Sequence, residues 1–131
     1  MNLQEQKLQT LKQQLMQSQH QLVISECSQL IRDDENEKSP LEAQIKKEVL
    51  YVMAVAYRLL AKPDSAIEIL NSLITQFPDY ARGYQELGYC YLQRDKAKAA
   101  HSFYQATRFN PALLSAWRQL ETIYKEDDQQ Q

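Results

Sequence analysis

The stretch Tyr84-Gln85-Glu86-Leu87-Gly88-Tyr89-Cys90-Tyr91, followed by Ala99-Ala100-His101-Ser102-Phe103 and then by Pro111, decides the fold. Tyr84, Leu87 and Tyr91 stand at i, i+3 and i+7, which puts all three on one face of a helix. Gly88 beside them leaves out a side chain where a second helix must pass close. Ala99 is a second small residue, on the helix that follows, Phe103 stands four residues on from it, and Pro111 stops that helix. The segment reads as a helical hairpin whose apolar face a single hairpin cannot bury.

The same spacing recurs on both sides. Upstream, Leu50, Met53, Ala54 and Tyr57 precede Ala66, Leu70 and Pro78; downstream, Trp117, Leu120 and Tyr124 open another unit. Tyr84 follows Leu50 by 34 residues and Trp117 follows Tyr84 by 33, and Tyr84 and Trp117 each come six residues after a proline. The shorter second period places the missing residue in the turn Gln93-Arg94-Asp95, which lacks a glycine. Small residues at Ala54, Ala66, Gly88 and Ala99 mark close helix crossings. Tyr57, Tyr84, Tyr91, Phe103 and Trp117 are expected to fill the core between hairpins.

The order aromatic-x2-Leu-Gly-x2-Tyr, Ala-x3-Phe, Pro is that of the tetratricopeptide repeat (TPR), and the chain resembles that family over about residues 47–126. In the best unit only Tyr84 departs, standing where the pattern has Trp. The resemblance implies an all-α fold, a TPR superhelix of antiparallel helical hairpins with about seven helices, in a single domain over 1–131. Its expected parts are a degenerate repeat at 8–33, repeats at 41–78 and 81–111, and a terminal or capping helix at 114–126. Stacking of hairpins supplies the core in such arrays.

The first part follows the pattern loosely. Leu8, Leu11 and Leu15 give one helical face; Val23, Cys27 and Leu30 give the next, with a turn at Gln17-Ser18-Gln19-His20. The Gln-rich first helix suits a solvated end cap. Asp33 to Lys38 read as an acidic, solvated loop. Ser39-Pro40-Leu41-Glu42 reads as a capping box with proline at the first helical position, opening a helix to about Ala61. Asp64 and Asp95 fall near the starts of second helices, where negative charge suits the helix dipole. Asp127 to Gln131 are expected to fray.

Composition narrows the function. Hydrophobic residues are 44%, charged residues 24%, and only 2 Gly and 4 Pro occur, which argues against an all-β fold. A formal net charge of -2 gives no general attraction to nucleic acid or to an anionic membrane surface. No apolar run approaches the ~20 residues of a membrane span. The polar start Met1-Asn2-Leu3-Gln4-Glu5-Gln6 lacks the features of a signal peptide, so a cytoplasmic location is expected. Cys27 and Cys90 are far apart in apolar settings and read as core.

No constellation for catalysis is found. Two isolated glycines cannot build a phosphate loop, zinc spacing is lacking, and His20 and His101 are 81 residues apart in polar stretches. The paired acids Asp33/Asp34 and Asp127/Asp128 are read in loop or tail, where nothing would desolvate a carboxylate for acid–base work. The expectation is a non-enzymatic module with no cofactor and no metal.

The TPR resemblance implies protein or peptide binding in a concave groove lined by first helices. Carried over by position, the groove residues are Glu48, Tyr51, Val55 and Arg58; then Arg82, Gln85, Tyr89 and Leu92; then Ser115, Arg118, Thr122 and Lys125. Tyr and Arg are residue types that anchor interfaces. Chaperone-binding members clamp a C-terminal carboxylate with Lys, Arg and Asn. The matching places here hold Tyr51, Val55, Glu86, Ser115 and Gln119, and a glutamate beside a carboxylate is repulsive. Arg82 and Arg118 would favour an acidic segment.

Three runs, Tyr51 to Arg58, Arg82 to Gly88 and Asn110 to Arg118, resemble the N-terminal TPR region of bacterial TPR-containing sulfotransferases. That resemblance implies the recognition part of a larger enzyme that uses the sulfate donor PAPS, with all catalytic residues beyond residue 131. A free-standing adaptor is the alternative. A homodimer through the C-terminal helix is a third reading, suggested by the apolar load Trp117, Leu120, Ile123 and Tyr124 on a helix without a hairpin partner.

Overall fold

The computed structural model describes residues 1–130. Among them are seven helices and no strand: α1 (Leu3–Met16), α2 (His20–Glu35), α3 (Ala43–Leu59), α4 (Pro63–Gln76), α5 (Ala81–Tyr91), α6 (Lys96–Phe109) and α7 (Leu114–Gln130). The fold is an all-α, TPR-like helical repeat. Contacts divide it into two compact units, Met1–Ile69 and the chain from Leu70 onward, with the division falling inside α4.

In the first unit, Leu8 and Leu11 of α1 and Val23 and Cys27 of α2 join Ile45, Val49, Val52, Met53 and Ala56 of α3 in one buried cluster. Full burial of such a Leu, Ile or Val side chain stabilises by roughly 1.5–3 kcal/mol. The degenerate sequence pattern therefore does build a helix pair. Asn2 caps α1 by accepting from the Glu5 N–H at 2.8 Å. Burial pushes the Cys27 thiol up to about 12, with Glu26 adding to the shift and Lys7 opposing it.

Helices α1, α2 and α3 end the same way. Ser18 (φ 62°), Glu37 (φ 58°) and Ala61 (φ 59°) are left-handed, and no glycine is. The following N–H reaches back into the last turn: Gln19 to the Gln14 carbonyl, Lys38 to Asp33 and Lys62 to Tyr57, each at 2.9 Å. This is the Schellman closure, in which glycine is the usual residue. The turn between α5 and α6 omits it. There the Asp95 N–H bonds the Tyr91 carbonyl at 2.8 Å and Leu92 stays right-handed. The shorter period is thus accounted for at the place the sequence indicated.

Two expectations in this unit are corrected. Asp33, Asp34 and Glu35 belong to α2 and do not form a loop. Asp34 accepts from the Leu41 N–H at 2.7 Å and pairs with Lys46 at 3.0 Å, which together hold its carboxyl below the usual carboxylate range. Pro40 is not the first helical residue either, because α3 starts at Ala43 and its N-cap Glu42 makes no side-chain cap bond. The entry to α3 is held from elsewhere in the unit. Asp34 takes the Leu41 N–H, while Gln4 Oε1 accepts from the Glu42 N–H at 2.9 Å and Gln4 Nε2 donates to the Pro40 carbonyl at 3.0 Å.

In the second unit, Ala99, Phe103 and Ala106 of α6 meet Ala116, Leu120 and Ile123 of α7 in a buried cluster. Gly88 of α5 lies against the Phe103 ring. Asp95 caps α6 by accepting from the Lys98 N–H at 3.1 Å. The six-residue offset from proline has a concrete cause. The Tyr84 hydroxyl donates to the Pro78 carbonyl at 2.7 Å, and the Trp117 indole N–H donates to the Pro111 carbonyl at 2.8 Å. Tyr therefore does the work of Trp at this position with a different donor.

Trp117 does not fill the core as expected. It is 47% exposed, because no helix among the described residues covers its outer side. Tyr57, Tyr84 and Tyr91 are half-buried and only Phe103 is fully enclosed. The frayed tail is also corrected, since α7 runs on to Gln130; Gln131 lies outside the described residues.

Candidate protein-binding surfaces

The residues carried over from the TPR pattern differ in accessibility. In the first unit, Glu48, Tyr51 and Arg58 are half-buried and Val55 is buried, so Val55 backs the surface of α3 and presents no side chain to a ligand. Glu48 accepts an ion pair from Lys12 at 3.1 Å. Exposed pairs of this kind contribute little to stability, but this one orders the carboxylate.

In the second unit, Arg82, Ser115, Arg118, Thr122 and Lys125 are exposed, and Gln85, Tyr89 and Leu92 are half-buried. Leu92 and Thr122 come together in a cleft of about 170 Å³ shared with Gln93, Gln119 and Glu126. Tyr89 turns inward and meets Phe103 edge-on at 5.3 Å. Lys125 pairs with Glu121 at 2.8 Å, which raises the Lys125 pKa and lowers that of Glu121. The Gln85 Oε1 is buried with no hydrogen-bond partner among the described residues. Neither Arg82 nor Arg118 has an ion-pair partner among those residues. Glu86 is only 3% exposed, so it faces the interior and would not repel an incoming carboxylate.

A larger concavity lies elsewhere in this unit. A cavity of about 440 Å³ opens over α5, with Asn71 and Ile74 of α4 on one side and Ala97, Lys98, His101 and Gln105 of α6 on the other. Tyr84, Leu87 and Tyr91 form its floor. The Lys98 Nζ sits 5.5 Å from the Tyr91 ring centroid. Read one at a time, Lys98 and His101 are ordinary exposed residues. The available signal was collective: Lys98, His101, Gln105 and Arg108 fall at i, i+3, i+7 and i+10 on one helix face.

No three His, Cys, Asp or Glu side chains cluster to hold a metal ion among the described residues. No described helix is long and apolar enough to cross a membrane. With the helix pairs, the small crossing residues and the proline-anchored aromatics in place, the class is a TPR-like helical repeat, the kind of scaffold that generally mediates protein–protein interaction. Residues 48–80 match the tetratricopeptide repeat family, covering α3 from Glu48 onward, α4 and the turn into α5. No curated protein matches the chain.

Proposed function

We propose that the chain is a protein-interaction module whose second unit binds an acidic protein segment on the first-helix face of α5 and α7, the side that lines the concave groove in TPR arrays. The observation that carries this is the pair Arg82 and Arg118, exposed on successive first helices without a carboxylate partner among the described residues. Arginine presents a planar fork that matches carboxylates two bonds at a time. Leu92, just past the end of α5, and Thr122 of α7 add a small cleft beside them. On a peptide array graded in acidic content, the wild type should retain acidic peptides preferentially. Arg82→Glu with Arg118→Glu should lose that preference while melting at the same temperature; an unchanged preference would refute the assignment.

The sulfotransferase context is a finer reading supported by the three sequence runs alone. An immunoblot of the native protein in its own cells tests it. A band near 15.3 kDa means a small adaptor, whereas a much heavier one means a recognition region within a larger protein.

A second reading is favoured by α7. Leu114, Trp117 and Tyr124 are 63%, 47% and 54% exposed along this helix. Counting by the periods of 34 and 33, the crossing position held by Ala54 and Gly88 is held here by Glu121. A glutamate at that crossing disfavours a second helix closing on α7 as α6 closes on α5, and a second copy seated on the stripe would make a homodimer. Light scattering should then give twice the chain mass for the wild type and one chain mass for Trp117→Glu; a monomeric wild type at high concentration removes this reading.

A further inference from the structure

The α5/α7 face leaves the cavity between α4 and α6 without a role. Its floor is apolar and fixed in place. Tyr84 is tied to the Pro78 carbonyl at 2.7 Å and stacked on Phe109 at 5.3 Å, and Leu87 is buried beneath it. Its α6 wall is basic. From Lys96 to Phe109 this helix contains Lys96, Lys98 and Arg108 and no acidic residue. Lys96 is committed to an ion pair with Glu126. Lys98 and His101 line the cavity, and Arg108, exposed on the same helix face, stands just past Gln105 at the end of that lining. Arg108 donates a long hydrogen bond to Gln105 Oε1 at 3.4 Å, and Gln105 does line the cavity. No acidic side chain lines the cavity; Asp79, which adds to the effect of burial in raising the Tyr84 pKa, stands outside the lining.

We propose that this groove docks an acidic amphipathic helix of a partner protein. Its apolar stripe would lie on Ile74, Tyr84, Leu87 and Tyr91, and its carboxylates would meet Lys98 and Arg108. The α6 wall from Ala97 to Gln105 spans about 12 Å at ~1.5 Å per residue, which is about two turns of a bound helix. That length accommodates apolar anchors at i, i+3 or i+4, and i+7, the pattern by which helices are read in grooves. A cavity of about 440 Å³ is within the size range of preformed ligand sites. The basic stripe selects among such helices, because a basic one would bring like charge against Lys98 and Arg108. The site is independent of the α5/α7 face, since neither Arg82 nor Arg118 lines it.

The probe is a fluorescein-labelled helical peptide with Leu at every third or fourth position and Glu on its other faces. A twin carries Lys in place of Glu. Fluorescence anisotropy on the whole chain should show binding of the Glu peptide and not of the Lys peptide. Lys98→Glu with Arg108→Glu should weaken binding about tenfold or more. Ala97→Trp, at an exposed position on the groove wall, should do the same by filling the groove without touching charge. Arg82→Glu with Arg118→Glu should leave it within about twofold. Circular dichroism spectra matching the wild type would establish that the variants fold. The proposal is overturned if neither peptide binds, if the Lys peptide binds as tightly, or if Ala97→Trp binds normally. It is also overturned if loss follows Arg82 and Arg118, a result that would credit the α5/α7 face instead.

Discussion

Two glycines lie in α5, and the fold predicts opposite signs for replacing them with alanine. A Cβ at Gly88 would stand 2.6 Å from Phe103 Cε1 and 2.7 Å from its Cδ1 and Cζ. Carbon atoms settle at about 3.5–4.0 Å, so the overlap approaches an ångström. Phe103 cannot retreat, being fully buried and met edge-on by Tyr89. Overpacking of this kind costs about 1–3 kcal/mol, and the helix-propensity gain of ~1 kcal/mol offsets only part of it. Gly88→Ala should therefore lose on the order of 1 kcal/mol, and up to about 2 kcal/mol. At Gly83 the nearest atom is Ile74 Cγ2 at 3.1 Å, on a half-buried side chain at the groove edge that can shift by a few tenths of an ångström. Gly83→Ala should be neutral or stabilising by up to ~1 kcal/mol. Urea unfolding read by circular dichroism and by Trp117, the single tryptophan, gives both values. Adding Phe103→Leu to Gly88→Ala should recover part of the loss, a coupling of about 0.5–3 kcal/mol. A Gly88→Ala protein as stable as the wild type or more so would refute the close crossing of α5 and α6.

Other outcomes follow from single contacts. Ala61→Gly should stabilise by about 0.5–1 kcal/mol, because the left-handed φ of 59° strains any residue with a Cβ. A denaturation midpoint that falls would show that the turn does not need that geometry. Asp34→Ala should cost about 1–2 kcal/mol at pH 7 by stranding the Leu41 N–H and Lys46. Its folded pKa is depressed, so the contribution is full above the ordinary value of 3.8 and is lost as pH falls through the lower folded value. Stability curves for wild type and variant should begin to draw together only as pH falls below 3.8, and a gap unchanged by pH would contradict the pairing. Cys27, buried and with its thiol pushed up to about 12, should resist iodoacetamide in the folded protein and react on unfolding. Rapid labelling of the native chain at neutral pH would count against its burial.

The fold was legible where one residue type has one physical use. The close helix crossing at Gly88, the aromatic six residues after a proline, and the shortened turn after Tyr91 were each legible from spacing, whereas the Phe103 ring as the group that meets Gly88 was not. Leu8, Leu11, Val23 and Cys27 gave the degenerate helix pair through periodicity alone. Helix entries and exits were less legible because they depend on residues distant in sequence. Pro40 looked like a helix start, yet Gln4 and Asp34 hold that segment outside α3. Asp34 looked like part of a solvated acidic run and is a structural acceptor. Trp117 has the spacing of a core residue, but burial depends on what packs outside α7. On the candidate surfaces, residue type identified Arg82 and Arg118 but not that Val55 would be buried or Tyr89 turned inward. The groove between α4 and α6 was hidden because concavity arises from where Ala97 and Tyr91 stand relative to Ile74, which no single-helix pattern expresses.

The claim that the chain recognises a protein segment through its second unit is tested most directly by quantitative affinity capture from its own cells. The baits would be the wild type, Arg82→Glu with Arg118→Glu, and Lys98→Glu with Arg108→Glu. A protein retained stoichiometrically by the wild type and lost from one charge-reversed bait, with folding intact, is the predicted result. The same proteins on all three baits, or none on any, would contradict the account.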